Sequence, residues 1–279
     1  MKNKLWLNAA LLAAVIALAL FAWLKPQKVE AELKLSALKA GEVDRIGIEI
    51  AGAGPIALER AQAGWLLTAP VAARADDFQV QRLLVLSEAT AKERFPATGL
   101  ARFDLNEPYA RVTLNQQSFS FGAVNPMGRE QYVLTQGGVY LVGLRYGAAL
   151  PKDALQLASR QLFAADEAPV RFEFKEYSIT QSDGKWNVTP QVADLSQDDI
   201  NRWVDEWRQA SALRSGPYAN NKPVGDIKLE FRDGKKLALG ILQREPELVL
   251  LRPDENLQYH FLPETAKRLL TPPRQVDGK

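Results

Sequence analysis

The chain's hydrophobic and polar positions fall into three rhythms. From Leu5 to Leu24 there is no charge, and Asn8 is the one amide. As a helix rising about 1.5 Å per residue, such a run reaches the roughly 30 Å of a hydrocarbon core. It has no polar face, so the pattern predicts a membrane-spanning helix rather than a half-buried one. Trp6 and Trp23 stand near its two ends, where indoles favour the headgroup layer, and Lys25 and Pro26 close it. Ala17 and Ala19 would also suit a signal-peptide cleavage site, but the apolar run continues to Leu24 and favours an uncleaved anchor. Lys2, Lys4 and the very short N-terminal tail favour an N-terminus on the cytoplasmic side and an exported body.

Beyond residue 42 the rhythm becomes alternation, interrupted twice by helical spacing. Ile46-Gly47-Ile48-Glu49-Ile50 and Val170-Arg171-Phe172-Glu173-Phe174 alternate as strands do. Each precedes a Trp-containing segment, Gly64-Trp65-Leu66-Leu67-Thr68-Ala69-Pro70 and Lys185-Trp186-Asn187-Val188-Thr189-Pro190. Each Trp segment is followed by a helix opening on a capping residue, Asp76 and Ser196. Val80, Leu83 and Leu84 align with Ile200, Trp203 and Val204, an i, i+3, i+4 stripe in both. Ser196 with Asp199 fits a capping box. Asp76-Asp77 and Asp198-Asp199 suit the positive end of a helix dipole.

The strands that follow also match. Ala110–Leu114 corresponds to Asp226–Phe231, Phe119–Gly122 to Leu237–Gly240, Tyr132–Leu134 to Leu248–Leu250, and Val139–Val142 to Gln258–Phe261. Turn signals such as Asp233-Gly234 and Gly137-Gly138 separate them. Pro151 and Pro263 each open a closing helix. The expected order in each copy is β-β-α-β-β-β-β-α. The fold class is therefore α+β: two tandem repeats of a mostly antiparallel β-sheet with covering helices, preceded by one N-terminal transmembrane helix. The expected divisions are an anchor over 1–26, a stalk over 27–42, repeats over 43–166 and 167–271, and a flexible tail over 272–279.

Composition narrows the function. The 279 residues carry a formal net charge of +2, with acids interleaved among the bases. That argues against a nucleic-acid partner, which needs clustered Lys and Arg. With no cysteine and one histidine, His260, there is little for thiolate chemistry, zinc ligation or a serine-histidine triad. No cofactor and no enzymatic activity are expected. The acid pairs and Asp104 could in principle serve glycoside hydrolysis, though helix capping accounts for the pairs. Trp65 and Trp186 recur at matching positions, as a rebuilt core would require. Trp203 and Trp207 lie one helical turn apart, a spacing that suits a core pair more often than an exposed partner-binding ridge. Because Trp207 aligns with Ser87, it is the better candidate for an exposed partner-binding anchor, with Trp203 beside it. Arg129, in the turn Asn125-Pro126-Met127-Gly128-Arg129, is a third candidate.

The order Trp65, Pro70, Asp76 and apolar helix, then Gly99-Leu100, Leu105, Pro108, Val112-Thr113-Leu114, Phe121-Gly122, Tyr132-Val133 and Val139-Tyr140, resembles a family. It is a duplicated bacterial domain of unknown function in single-pass envelope proteins. Members are often encoded beside ABC-transporter components like the auxiliary subunits of gliding-motility transporters. Either Gly99-Leu100 or the segment Phe103–Pro108 fits the Gly-Leu step, and the second copy lacks a clear version. The resemblance implies an inner-membrane protein with a periplasmic body that serves an envelope transport complex as a scaffold or accessory subunit. The alternative is a lipid- or glycan-binding protein with its cleft between the repeats.

Overall fold

The structure, a computed structural model, describes residues 2–24, 33–193 and 195–273. Residues 25–32, which cover the end of the expected anchor and the first part of the expected stalk over 27–42, and residues 274–279 of the expected tail lie outside the described residues. Two compact units result, Met1–Leu33 and Lys34–Lys279. The first contains a helix, α1 (Lys2–Leu24), of 23 residues. Its described side chains from Leu11 to Phe21 are all exposed. Among the described residues, no helix is long and apolar enough to cross a membrane.

The second unit holds the duplication. After β1 (Leu33–Lys34), the first repeat runs β2 (Arg45–Ile50), β3 (Ile56–Ala61), β4 (Gly64–Ala69), β5 (Ala73–Arg74), α2 (Asp77–Leu84), β6 (Thr90–Pro96), β7 (Ala110–Leu114), β8 (Gln117–Asn125), β9 (Glu130–Thr135), β10 (Gly138–Gly143) and α3 (Arg145–Ala148). The second runs β11 (Pro169–Glu173), β12 (Ser178–Ser182), β13 (Lys185–Thr189), α4 (Gln197–Arg208), β14 (Arg214–Pro217), β15 (Gly225–Phe231), β16 (Lys236–Gln243), β17 (Leu248–Arg252), β18 (Leu257–Phe261) and α5 (Pro263–Leu270).

The sheet of the first repeat reads β6-β10-β9-β8-β7-β2-β3-β4, and that of the second β14-β18-β17-β16-β15-β11-β12-β13. Under the alignment of the two copies these orders are the same, and neighbouring strands pair antiparallel throughout both series. The first sheet adds β1 and β5 at its ends, giving ten strands against eight. The peptide bonds Ala69–Pro70 and Thr189–Pro190 are both cis.

The helices start where expected. Asp76 Oδ1 accepts the Gln79 N–H at 3.1 Å, and Ser196 and Asp199 exchange both capping-box hydrogen bonds. Val80, Leu83 and Leu84 on α2, and Ile200, Trp203 and Val204 on α4, turn into the core.

Other elements depart from the expected order. Both repeats carry further strands, β3, β5 and β6 in the first and β12 and β14 in the second. Their sequences hide them: Thr90–Pro96 is interrupted by the charged run Lys92-Glu93-Arg94, Ser178–Ser182 has one apolar residue, and Arg214–Pro217 contains Gly and Pro. Sheet neighbours supply the hydrogen bonds that alternation did not announce. Pro151 opens no α-helix. A 3-10 turn over Ala154–Leu157 stands there, capped by Asp153, whose Oδ1 accepts the Gln156 N–H at 3.2 Å.

The segment peculiar to the first copy, residues 97–109, closes the outer face of that sheet. Gly99 and Asp104 flank one 3-10 turn, Leu100–Phe103, both in the left-handed region. The two segments that fit the Gly-Leu step are thus parts of one structure. Phe103 and Leu105 pack with Val139 in a small separate core that Phe95 and Tyr132 extend. A Cβ on Gly122 would lie 2.1 Å from the Phe103 carbonyl oxygen, so only glycine admits this approach.

The two repeats share one hydrophobic core running from Leu35 to Leu269. The connection between them is hydrogen-bonded to both. Ser159 N–H donates to Arg74 O at 2.8 Å, and Asp76 N–H to Leu157 O at 2.7 Å. On the other side Leu162 N–H donates to Ala210 O and Ala212 N–H to Arg160 O, each at 2.8 Å.

Candidate functional site

The tryptophan candidates are in the core. Trp207 is 0% exposed and its Nε1–H donates to Leu269 O at 3.0 Å. Trp203 is buried and donates to Thr271 O at 2.8 Å. Both rings lie against Phe172 and Phe174, and Phe163 stacks on Trp207. The expectation of an exposed anchor at Trp207 is therefore corrected. The position is buried in both copies, since Ser87 is also buried, with its hydroxyl donating to Leu84 O at 2.8 Å. The copies fill one interior site with side chains of different size. Trp65 and Trp186 are likewise buried, and the Arg60 guanidinium lies 4.7 Å over the Trp65 ring.

Arg129 is exposed, at the tip of the β8–β9 hairpin. Asn125 shapes the turn, accepting the Met127 N–H on its side chain at 3.1 Å. The same tip holds Met127, 94% exposed, and Val124, 51% exposed. An apolar pair beside a cation at the end of a hairpin is a surface that a partner can cover. Below it lies a cleft of about 500 Å³ lined by Asp104, Glu107, Tyr109 and Gln131 among others. Gln131 Nε2 donates to Gly122 O at 2.9 Å and to the Tyr109 hydroxyl at 3.1 Å. Burial pushes the Tyr109 phenol up, against a smaller opposing effect of the Gln131 hydrogen bond.

Where the repeats meet, ionic groups are concentrated. Arg74 of β5 reaches into the second repeat, with its Nε 2.6 Å from Glu255 Oε1. Its Nη2 donates to Gln161 O at 2.8 Å. Tyr259 donates to the same Glu255. Arg252, 2% exposed, makes a two-pronged contact with Glu167 at 2.6 and 2.8 Å and pairs with Asp254. Lys235 Nζ stands 2.8 Å from Glu167. Burial works against ionisation of Glu167, but the Arg252 and Lys235 hydrogen bonds outweigh it and hold its carboxyl down at about 2. Paired and hydrogen-bonded on every side, this cluster joins the repeats rather than offering a reactive group.

On the surface of the same junction a cleft of about 460 Å³ is lined by Arg82 of α2, Asp153 and Arg160 of the connection, Leu213 just before β14, and Arg214 at its start. His260, on β18, is buried. Its Nδ1 lies 3.1 Å from Glu247 Oε2, while Nε2 has no partner. Arg214 shares the same carboxylate at 3.0 Å. Asp76 and Asp199 act as capping groups, and Asp104 ends the 3-10 turn of the first repeat. Among the described residues, no group of three His, Cys, Asp or Glu could hold a metal ion.

The sequence offers Arg129 as a candidate without the exposure of its apolar neighbours, and it suggests a cleft between the repeats without any of the ionic residues that line the junction. The junction ions come from segments as distant as Arg74 and Glu255, and no spacing rule links them.

A family described as a domain of unknown function (DUF4340) matches residues 65–214. The match starts at the tryptophan of β4 and ends at the first residue of β14, crossing the junction and covering over half of the chain. No curated protein and no solved structure matches it.

Proposed function

The chain belongs to the DUF4340 family, and on that premise we propose that it is a non-enzymatic interaction module of the cell envelope. Residues 5–24 anchor it in the bacterial inner membrane as a single-pass helix. Its N-terminus is cytoplasmic, its body is periplasmic, and it serves as a scaffold or accessory subunit of an ABC-type transport complex. The observation that carries the reading is the β8–β9 tip. Val124, Met127 and Arg129 stand out on a body whose repeats are stiffened by shared core and buried ion pairs. The apolar side chains displayed from Leu11 to Phe21 support the anchor.

Two experiments test this. Reporter fusions after residue 34 are expected to be active only if exported. A body found freely soluble in the cytoplasm would refute the anchored topology. Crosslinking followed by purification in mild detergent is expected to recover transporter subunits with the full chain, and to lose them with Met127→Ser/Arg129→Glu. Recovery of the chain alone would overturn the scaffold reading.

A second reading has its own observation. Three arginines, Arg82, Arg160 and Arg214, line the junction cleft beside the exposed Leu213. That combination suits a lipid or glycan bearing an acidic group. Native mass spectrometry of the purified chain should then show a bound adduct that Arg160→Glu removes, and a clean apo mass would dismiss it.

A further inference from the structure

Gln131 of β9 is 3% exposed, yet its amide is only half engaged. Its Nε2 donates to Gly122 O at 2.9 Å and to the Tyr109 hydroxyl at 3.1 Å. A carbonyl can only accept, so the first of these bonds fixes which way the amide is turned. Oε1 accepts no hydrogen bond from the described residues. Gln131, Tyr109 and Gly147 all line the cleft of about 500 Å³ below the β8–β9 hairpin. A Cβ on Gly147 would stand 2.2 Å from Oε1 and 2.8 Å from the Tyr109 oxygen. Gly147 lies in α3, a backbone that any residue can adopt, so glycine serves there to keep this space clear. A buried acceptor needs a donor, and the open side of this one faces the cleft.

The acceptor is held in place before any ligand arrives. Tyr109 N–H donates to Phe121 O at 3.1 Å, Ala51 N–H donates to Tyr109 O at 2.9 Å, and the Tyr109 ring stands edge-on to Phe121. The rest of the lining is of two kinds. Asp104 and Glu107 are exposed residues of the segment 97–109, and among the described residues neither carboxylate has an ion pair or a hydrogen bond. Val124 and Leu144 are apolar. No Lys or Arg is among the lining residues, so three acceptors share the cleft without a cation.

An ammonium group has three donors and no acceptor, which matches two carboxylates and an amide oxygen. On the flexible stem of lysine it also brings methylenes to lie against Val124 and Leu144. The acceptors come from two elements, β9 and the segment 97–109, and a rotating ammonium meets such a set more readily than a guanidinium with its donors fixed in a planar fork. Val124 belongs both to the cleft and to the exposed tip that carries Met127 and Arg129, so a protein covering the tip reaches the cleft with a side chain. We propose that the cleft receives a lysine side chain of the partner protein, its ammonium held by Asp104, Glu107 and Gln131 Oε1. The proposal deepens the reading of the chain as an interaction module, and rests on it.

Lysine blocked at both its α-amine and its carboxyl is the probe, titrated into the isotope-labelled full chain in detergent while the amide signals of Gly122, Gln131 and Gly147 are followed by NMR. Saturable shifts at these residues are expected, and blocked norleucine, which keeps the stem and lacks the ammonium, should give none. Asp104→Asn/Glu107→Gln should weaken the lysine by about tenfold, the loss of two exposed charge pairs. Asn tolerates the left-handed conformation that Asp104 holds, so an unchanged unfolding midpoint is expected to accompany that loss. In the captured complex, a carbodiimide should join Asp104 or Glu107 to a lysine of the partner, seen as a linked peptide by mass spectrometry. No saturable shift, a shift that norleucine reproduces, or one that Asp104→Asn/Glu107→Gln leaves unchanged would overturn the proposal. So would a small amine carried by the chain as purified, because the occupant would then be free in solution. If the lysine probe fails while crosslinking still recovers transporter subunits, the cleft proposal alone falls. If the probe binds and no subunits are recovered, the envelope-scaffold reading falls instead.

Discussion

Trp207 carries an indole in a site where its counterpart Ser87 carries a hydroxyl, and both are enclosed. The larger group is accommodated because Phe163, Phe172 and Phe174 pack around it and Leu269 O accepts its N–H. Trp207→Ala is expected to destabilise the body by about 3–5 kcal/mol, since a cavity and a lost hydrogen bond add to the transfer loss. Urea unfolding would measure it, and a change below 1 kcal/mol would show that the site collapses without loss. Glu167 gives a pH dependence. Its folded carboxyl is held down at about 2 against an unfolded value of about 4.3, so its contribution is complete above the unfolded value. That contribution is lost as the pH falls from there towards 2. Glu167→Gln should be less stable at neutral pH and show a shallower loss on acidification, followed by denaturant midpoints across that range.

At the scale of elements, local chemistry is decisive at helix starts and weak in edge strands. Asp76, Ser196 and Asp199 announce their helices because a side-chain acceptor must satisfy free N–H groups wherever the helix packs. Ser196→Ala should lower stability by about 1 kcal/mol, seen in thermal or urea midpoints. The strands β12 and β14 form because neighbouring strands offer hydrogen bonds, a cause lying outside their own residues. On the proposed reading, the hairpin tip should separate partner binding from stability. Met127→Ser/Arg129→Glu should leave the unfolding midpoint within about 0.5 kcal/mol of wild type. The same pair should eliminate capture of a transporter subunit.

For the whole molecule, the question is whether two repeats behave as one body. Their common core and the hydrogen-bonded connection predict a single cooperative unfolding transition for residues 34–273, with matching midpoints by far-UV and aromatic signals. Arg74→Ala should destabilise that body by about 3 kcal/mol, the low end for a broken buried pair, because Arg252 Nε still faces Glu255 at 3.7 Å. Two resolved transitions would mean that the interface is softer than its geometry.

The duplication, the two capped helices, the matching strands and the exposed turn at Arg129 could all be read along the chain. Each depends on neighbours within a few residues or on the comparison of one copy with the other. The shared core, the Arg74–Glu255 and Arg252–Glu167 contacts, the burial of Trp207 and the place of β13 at the end of its sheet were decided by folding. They depend on which distant segments meet, and residue order along a chain does not encode distance in space. Where the copies diverge, as at β5, only the assembled sheets show which of them carries the added strand.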